Sequence, residues 1–386
     1  MSQKKTAEKP NPYTQKIQIT DISFRNSGFD SLRGIFAIMV FFSHVELMKY
    51  YNRMEHLFEN DALFQLGRIG VTGFFALSGF LITAHLLKVR DEPTRTTSEK
   101  VKTFYIKRIL RIWPLYYTII LLSLYVFPHI PALHFDIPPE AKDARMNIDK
   151  LQYYYLFLLP HVPLAQLTVL PFAEPSWSIG VEEIFYLLIP ILIFSTKRLL
   201  PWLAGLFIAV VIGRYLAFFN SEPPHEDFLL CIFTLSRFDC ILAGCIAGVL
   251  YYEKRPILQK VNTSVFGVTL AVLVISILAV SRFTYQYYHY AILFTIIIVY
   301  VALNSQNILN NKVLQFYGKI SFSLYMTHEI VIVLLIKNYN FADEPPVLLH
   351  LCSFIAATGL GFISYKIIEE PFLKMKSKVD KQKTLN

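Results

Sequence analysis

Charge is scarce in this chain. Only 17% of its 386 residues are Asp, Glu, Lys or Arg, against roughly a quarter in soluble proteins. Hydrophobic residues make up 54% and mean hydropathy is +0.43. The remaining charges are clustered, so long stretches carry almost none, as a bilayer core demands. Cysteine is scarce as well. Cys231, Cys240, Cys245 and Cys352 lie in or beside apolar segments, and no spacing suits a zinc site or a disulfide framework. They read as buried small hydrophobes, and no metal ligand set is expected. There is no internal repeat and no long low-complexity tract. The polar, lysine-bearing stretch 1–29 lacks the apolar core and small-residue cleavage site of a signal peptide, so the apolar segment from Leu32 is expected to be a retained span.

What is there is a series of apolar runs. A transmembrane helix needs roughly 17–25 mainly apolar residues. Ten runs fall in that range or within one residue of it: 32–48, 70–89, 103–127, 177–196, 201–219, 231–252, 264–281, 289–304, 320–336 and 347–368. The segment 151–160 is too short to cross and suits a re-entrant or interfacial helix. The expected fold is an all-α polytopic membrane protein: a bundle of about ten transmembrane helices plus that short helix. The expected divisions are an N-terminal tail (1–31), a transmembrane domain (32–369) and a basic C-terminal tail (370–386).

The net charge of +9 would raise nucleic-acid binding in a soluble protein. Here the basic residues border apolar runs, which points to a cytoplasmic membrane face and to no nucleic-acid partner. With the N-terminus inside, 27 of the 37 Lys and Arg fall on inner segments and eight on outer ones, with Arg214 and Arg237 inside spans. That bias predicts a multi-pass protein of the cell (inner) membrane with both termini cytoplasmic. Treating 151–160 as a full span would put the Lys197–Arg198 and Lys254–Arg255 clusters outside.

Ionisable groups within spans cost on the order of 2.5–3.5 kcal/mol each. The first span, SLRGIFAIMVFFSHVELM, carries Arg33 and His44 eleven residues apart. At helical spacing they fall within about 20° of one face and roughly 16 Å apart along the axis. Two readings fit: Arg33 as a membrane-face anchor with His44 as a bundle histidine, or the pair as one functional stripe. In FYIKRILRIWPLYY, Arg108 and Arg111 project together at i and i+3. They suit either anchoring or phosphate oxygens, which guanidinium forks match. PSWSIGVEEIFYLLIP places Glu182 and Glu183 at a depth similar to His44, where a carboxylate could fix an imidazole tautomer. Gly70, Gly73 and Gly79 with Ser78 form a small-residue pattern that favours close helix packing. SFSLYMTHEI brings Tyr325, His328 and Glu329 to mid-depth.

Taken in order, these patterns resemble the acyltransferase-3 family of membrane acyltransferases, whose bacterial members acylate surface polysaccharides and related envelope molecules. The resemblance runs from FDSLRGIFAIMVFFSHV through GVTGFFALSGFLIT, FYIKRILRIWPLYY and PSWSIGVEEIFYLLIP to ISFSLYMTHEIVI and IIEEPF, essentially the whole chain. Its most specific element, Arg then ten residues then His, is met by Arg33 and His44. The Arg-x-x-Arg pair is met by Arg108 and Arg111, and the tryptophan–serine–carboxylate element by Trp177, Ser178 and Glu182. Three positions depart from the pattern: Thr72, where an acidic residue is frequent; Thr327, where a tryptophan often precedes the histidine; and Glu370, where a basic residue is usual.

The resemblance implies an acyl-CoA donor, acetyl-CoA above others, used as substrate with no permanently bound cofactor. It implies an acceptor hydroxyl on an envelope or surface glycan. On that footing Arg33, Arg108 and Arg111 are expected to bind the donor's phosphates. His44 is expected to act as general base with Glu182 orienting it, and Trp177, Ser78, Tyr325 and His328 to line the substrate path. No residue stands out as a covalent nucleophile, Ser78 being the weak candidate. A transporter or flippase of a lipid-linked sugar is the rival reading, since a polar stripe through a bundle also describes a translocation path. Acceptor and oligomeric state are not legible.

Overall fold

A computed structural model describes residues 27–57, 61–133, 148–165, 170–220, 235–280, 287–304, 309–341 and 344–381. Most of the N-terminal tail, Cys231, Lys142, Arg145, Arg282, the first residues of the 231–252 run and the last five residues lie outside this set. The described residues are all-helical. The helices are α1 (Ser27–Tyr51), α2 (Ala62–Arg90), α3 (Thr97–Tyr125), α4 (Ile148–Leu156), α5 (His161–Ala165), α6 (Ser176–Ser195), α7 (Leu199–Asn220), α8 (Phe238–Tyr252), α9 (Thr263–Leu278), α10 (Tyr288–Leu303), α11 (Lys312–Asn338), α12 (Pro346–Ser364) and α13 (Glu370–Lys381). One π-helical turn, Tyr365–Glu369, joins the last two.

All ten apolar runs correspond to helices. Seven helical segments are long and apolar enough to cross a bilayer, and α8, α9 and α10 are shorter apolar helices. The helices overrun the apolar stretches because polar ends are helical too. α1 begins at Ser27 with Asp30 in its first turn, where a carboxylate complements the helix dipole. α3 starts on a capping box formed by Thr96 and Glu99. α11 is capped by Asn311, whose side chain accepts from the Val313 and Leu314 amides, satisfying donors that have no partner within the helix. The 151–160 segment forms only the nine-residue α4, too short to span, as its length requires.

The centre of the bundle is α1, α2, α8 and α11. α1 packs chiefly on α11 and α2, and α2 on α8. Reciprocal glycines set two of these crossings. A Cβ on Gly34 would strike the Leu314 carbonyl, and one on Gly318 the Asp30 carbonyl. Between α2 and α8, a Cβ on Gly79 would strike the Ile241 carbonyl and one on Gly244 the Ala76 carbonyl. Where lipid replaces water there is no hydrophobic drive between helices, so close backbone contact at small residues supplies the packing. The outer helices turn apolar side chains outward: Phe219 is 75% exposed on α7, Ile275 65% on α9 and Ile355 72% on α12. In a soluble protein that surface would be a liability; here it meets acyl chains.

One end of the bundle, the basic end, gathers Arg33, Lys107, Arg108, Arg111, Lys319 and Lys376. The opposite end is tied by a buried carboxylate. Glu46 of α1 accepts from His56 Nδ1 at 2.8 Å and faces His350 Nε2 of α12 at 3.0 Å and Lys49 Nζ at 3.4 Å. Lys49 also donates to the Pro346 carbonyl at 2.8 Å. The α1–α2 loop and the start of α12 are thus fastened to the end of α1. The segment expected as a basic C-terminal tail is helical over most of its length, and α13 packs along α3.

Candidate functional site

A cavity of about 1270 Å³ opens at the basic end and runs inward between α2, α3, α6 and α11. Its mouth holds the six cations named above. Further in it is lined by Ser78, Phe74 and Phe75 of α2, by Ser178, Glu182 and Tyr186 of α6, and by Tyr325 of α11. Lys319 and Tyr325, six residues apart on one helix, mark a depth of roughly 9 Å. Arg33, Arg108 and Arg111, expected to act together, meet in this mouth. Asp30, one turn back on α1, holds Arg33 Nη1 at 2.5 Å. The Arg108 guanidinium lies over Phe104 at 5.5 Å and Tyr186 at 5.2 Å. Its Nε is buried without a hydrogen-bond partner among the described residues.

Glu182 sits in the cavity wall with both carboxylate oxygens engaged. Ser78 Oγ donates to one at 2.8 Å, and the Tyr186 hydroxyl, one turn along α6, donates to the other. Glu183 points to α3, where Trp113 Nε1 lies 3.5 Å from its carboxylate. Near the inner end, Tyr325 donates its hydroxyl to the Pro175 carbonyl at 2.9 Å and meets Ser178 Oγ at 2.8 Å. Tyr325 therefore ties α11 to the start of α6.

His44 stands beyond this wall. Its partner is His328 of α11, with Nδ1 and Nε2 2.5 Å apart. The ring planes are 5° from parallel and the centroids 4.7 Å apart. That separation is what two imidazoles give when their nitrogens point at each other edge to edge, so the contact is an in-plane hydrogen bond. The other nitrogen of His328, Nδ1, faces the Leu324 carbonyl at 3.2 Å. A carbonyl only accepts, so His328 Nδ1 carries the proton and Nε2 is the acceptor. His44 Nδ1 must then be the donor, which leaves the lone pair of His44 Nε2 free. His328 is one turn from Tyr325, with the two rings 6.2 Å apart, so the pair adjoins the inner wall of the cavity. The Glu329 carboxylate is within 4.8 Å of both imidazoles.

The structure thus pairs His44 with His328, and Glu182 with Ser78 and Tyr186. Glu182, expected to orient His44, has its hydrogen bonds with Ser78 and Tyr186, and the hydrogen bond of His44 is with His328. Trp177 is buried between Phe75, 6.1 Å away, and the Arg237 guanidinium, 5.3 Å away. From sequence alone Arg237 is only a charge within a span. It enters α8 in a left-handed conformation, φ 41°, lies 4.1 Å over the Tyr287 ring and donates to the Arg68 carbonyl and to Thr72 Oγ1. Thr72, one of the departures from the family pattern, is therefore a partner of this guanidinium. Glu370, another departure, pairs with Lys366 at 3.0 Å, and Thr327 donates back to the Ser323 carbonyl. Of the glycines read as packing residues, Gly70 lies against the Phe36 carbonyl and Gly73 against its ring. Tyr186, Lys319 and Lys376 were not singled out in the sequence. The signals were present: Tyr186 stands at i+4 from Glu182, and both lysines belong to the basic segments that set topology. On the loop before α6, burial raises the Glu174 carboxyl above the ordinary carboxylate range, with Arg68 opposing the shift.

The sequence pattern of an acyltransferase domain family, acyltransferase-3, matches residues 26–366. Among curated proteins the chain is similar to the O-acetyltransferase OatA of Staphylococcus aureus (strain NCTC 8325), with 26% identity over 336 residues covering 80% of this chain and 53% of that protein. It is also similar to a protein of S. aureus strain COL carrying the provisional name O-acetyltransferase, with 25% identity over 368 residues covering 90% of this chain and 57% of that protein. The chain therefore spans about half the length of the curated relatives it matches. No solved structure matches it.

Proposed function

The chain belongs to the acyltransferase-3 family of membrane acyltransferases, and from that premise we propose that it moves an acetyl group from a cytoplasmic acyl-CoA to a hydroxyl of a cell-envelope or surface polysaccharide, with His44 as general base. The relatives named as O-acetyltransferases support the acetyl group and the hydroxyl acceptor. The observation that carries the reading is the His44–His328 hydrogen bond, which presents an unprotonated Nε2 next to a cation-mouthed cavity.

In this reading the basic end faces the cytoplasm, in keeping with the excess of Lys and Arg on the inner segments. Arg33, Arg108 and Arg111 hold the donor's phosphates, guanidinium forks matching phosphate oxygens where a neutral lining would not. The thioester arm extends along the cavity past Ser78 and Ser178 toward Tyr325. The acceptor enters from the opposite end. His44 Nε2 takes the hydroxyl proton as the acceptor oxygen attacks the thioester carbonyl. The tetrahedral intermediate collapses with cleavage of the C–S bond, and the thiolate leaves with the proton held on His44. The His328 bond keeps the imidazole in the tautomer this needs, and Glu329 lies close enough to offset the imidazolium that forms. General-base catalysis of this kind contributes about 10²–10⁴-fold.

The test is donor-dependent acyl transfer by purified protein. His44→Ala should insert and fold normally yet lose transfer to polysaccharide, and wild-type activity in that variant would remove the base assignment. Mass spectrometry of envelope glycans with and without the gene would identify the acceptor.

A further inference from the structure

The mouth of the cavity contains more positive charge than three arginines. Lys319 of α11 and Lys376 of α13 line it as well, with Leu373 and Ser377 of α13 forming part of the same wall. Four cations crowd the Lys376 ammonium, Arg111, Arg108, Lys107 and Arg33, with the Glu369 carboxylate acting on it in the opposite sense. The carboxylates nearby have other partners as well. Asp30 binds Arg33, Glu370 binds Lys366 and Lys374, and Glu369 accepts from Ser323 at 2.9 Å. Arg108, Arg111, Lys319 and Lys376 form no ion pair among the described residues. Lys319 has the face of Tyr365 5.3 Å from its ammonium. Like charges converging in a half-enclosed site repel one another more strongly than they would in bulk water. A bound polyanion reverses the sign of that interaction.

We propose that α13 is part of the donor-binding site: Lys376, with Lys319, completes a polyphosphate-binding ring around Arg108 and Arg111, and the bound anion docks α13 over the cavity mouth. The site would take a ligand with two separate phosphate groups, such as the pyrophosphate and ribose phosphate of a nucleotide thioester. This rests on the donor reading above. The attachment of α13 fits the role. It follows a π-helical turn, a local irregularity frequent at functional sites, and Tyr365 of that turn lines the same cavity. Phosphate esters could reach this mouth from a soluble nucleotide or from anionic lipid headgroups, and the test separates the two.

The experiment uses the full chain in phosphatidylcholine nanodiscs. Binding of CoA, adenosine 3′,5′-bisphosphate and pantetheine is measured by calorimetry for wild type, Lys376→Gln, Lys376→Glu and Lys376→Arg. Hydrogen exchange is followed across 370–381. A lost charge-assisted contact predicts a CoA Kd raised about tenfold or more in Lys376→Gln and further in Lys376→Glu. Lys376→Arg should restore it, pantetheine binding should not change, and CoA should slow exchange across α13 in the wild type. Wild-type CoA affinity in Lys376→Glu, with wild-type exchange showing correct folding, would overturn the proposal and leave the donor reading standing. A Lys376 effect seen only when phosphatidylglycerol is added would assign the ring to lipid and also overturn it. Failure of the wild type to bind either CoA or the bisphosphate would sink both.

Discussion

His44 Nδ1 and His328 Nε2 lie 2.5 Å apart in nearly coplanar rings, although 284 residues separate them in the chain. The bond makes His328 the residue that sets the tautomer of His44. His328→Gln should therefore lower kcat by about 10- to 1,000-fold with little change in donor KM, because the proposed donor contacts lie at the basic end. The double variant with His44→Ala should be no worse than His44→Ala alone, since residues that act as a unit are not additive. Steady-state kinetics of the three proteins decides it. Additive losses would mean that His328 acts independently.

The arginines are expected to behave in the opposite way. If these arginines hold the donor as proposed, Arg108→Ala combined with Arg111→Ala removes two phosphate contacts, each worth roughly 1.5–3 kcal/mol when charge-assisted. The apparent donor constant should rise at least about 100-fold, with a smaller effect on kcat at saturation. An unchanged constant would return both residues to membrane anchoring.

Ser78 distinguishes direct transfer from a covalent route. Its hydroxyl donates to Glu182 inside the cavity, so it has a carboxylate beside it. In direct transfer by His44, Ser78→Ala should keep activity within about tenfold of wild type, the loss being that of one hydrogen bond near 1 kcal/mol. An acylated Ser78 peptide after rapid quench, or complete loss of turnover, would favour an acyl-enzyme instead.

Much of the fold was legible because a bilayer leaves few choices: apolar runs of sufficient length must be helices. The ten runs and the short α4 follow from that. The site was legible in its parts and not in its pairings. Helical spacing puts Arg108 beside Arg111, the family resemblance joins Arg33 to them, and the three meet in the cavity mouth. The Glu182 partnership could not be read, because Ser78 lies 104 residues earlier and only the α2–α6 packing joins them. Glu46 passed unremarked near the end of the first apolar run, since its partners His56 and His350 come from the following loop and from α12. Lys319 and Lys376 counted only as topology markers, because a charge at the end of an apolar run has the same appearance whether it faces headgroups or a cavity.

That Glu46 cluster carries a stability prediction. Glu46→Ala would leave Lys49 and two histidines packed around a missing carboxylate. Breaking a buried ion pair from one side costs about 3–5 kcal/mol. The variant should melt well below wild type in detergent, and Glu46→Gln, which keeps an acceptor oxygen, should lose less. Equal melting of all three proteins would contradict the assignment of Glu46 as a structural tie.

The central claim is that His44 is the base that transfers an acyl group between a donor on the basic side and an acceptor on the other. The direct measurement is transfer of labelled acetyl from acetyl-CoA to polysaccharide by the purified protein in proteoliposomes, with donor and acceptor on opposite sides. Wild type should label the acceptor, and His44→Ala, inserted and folded to the same extent, should not. Labelling at the wild-type rate by His44→Ala would contradict the account.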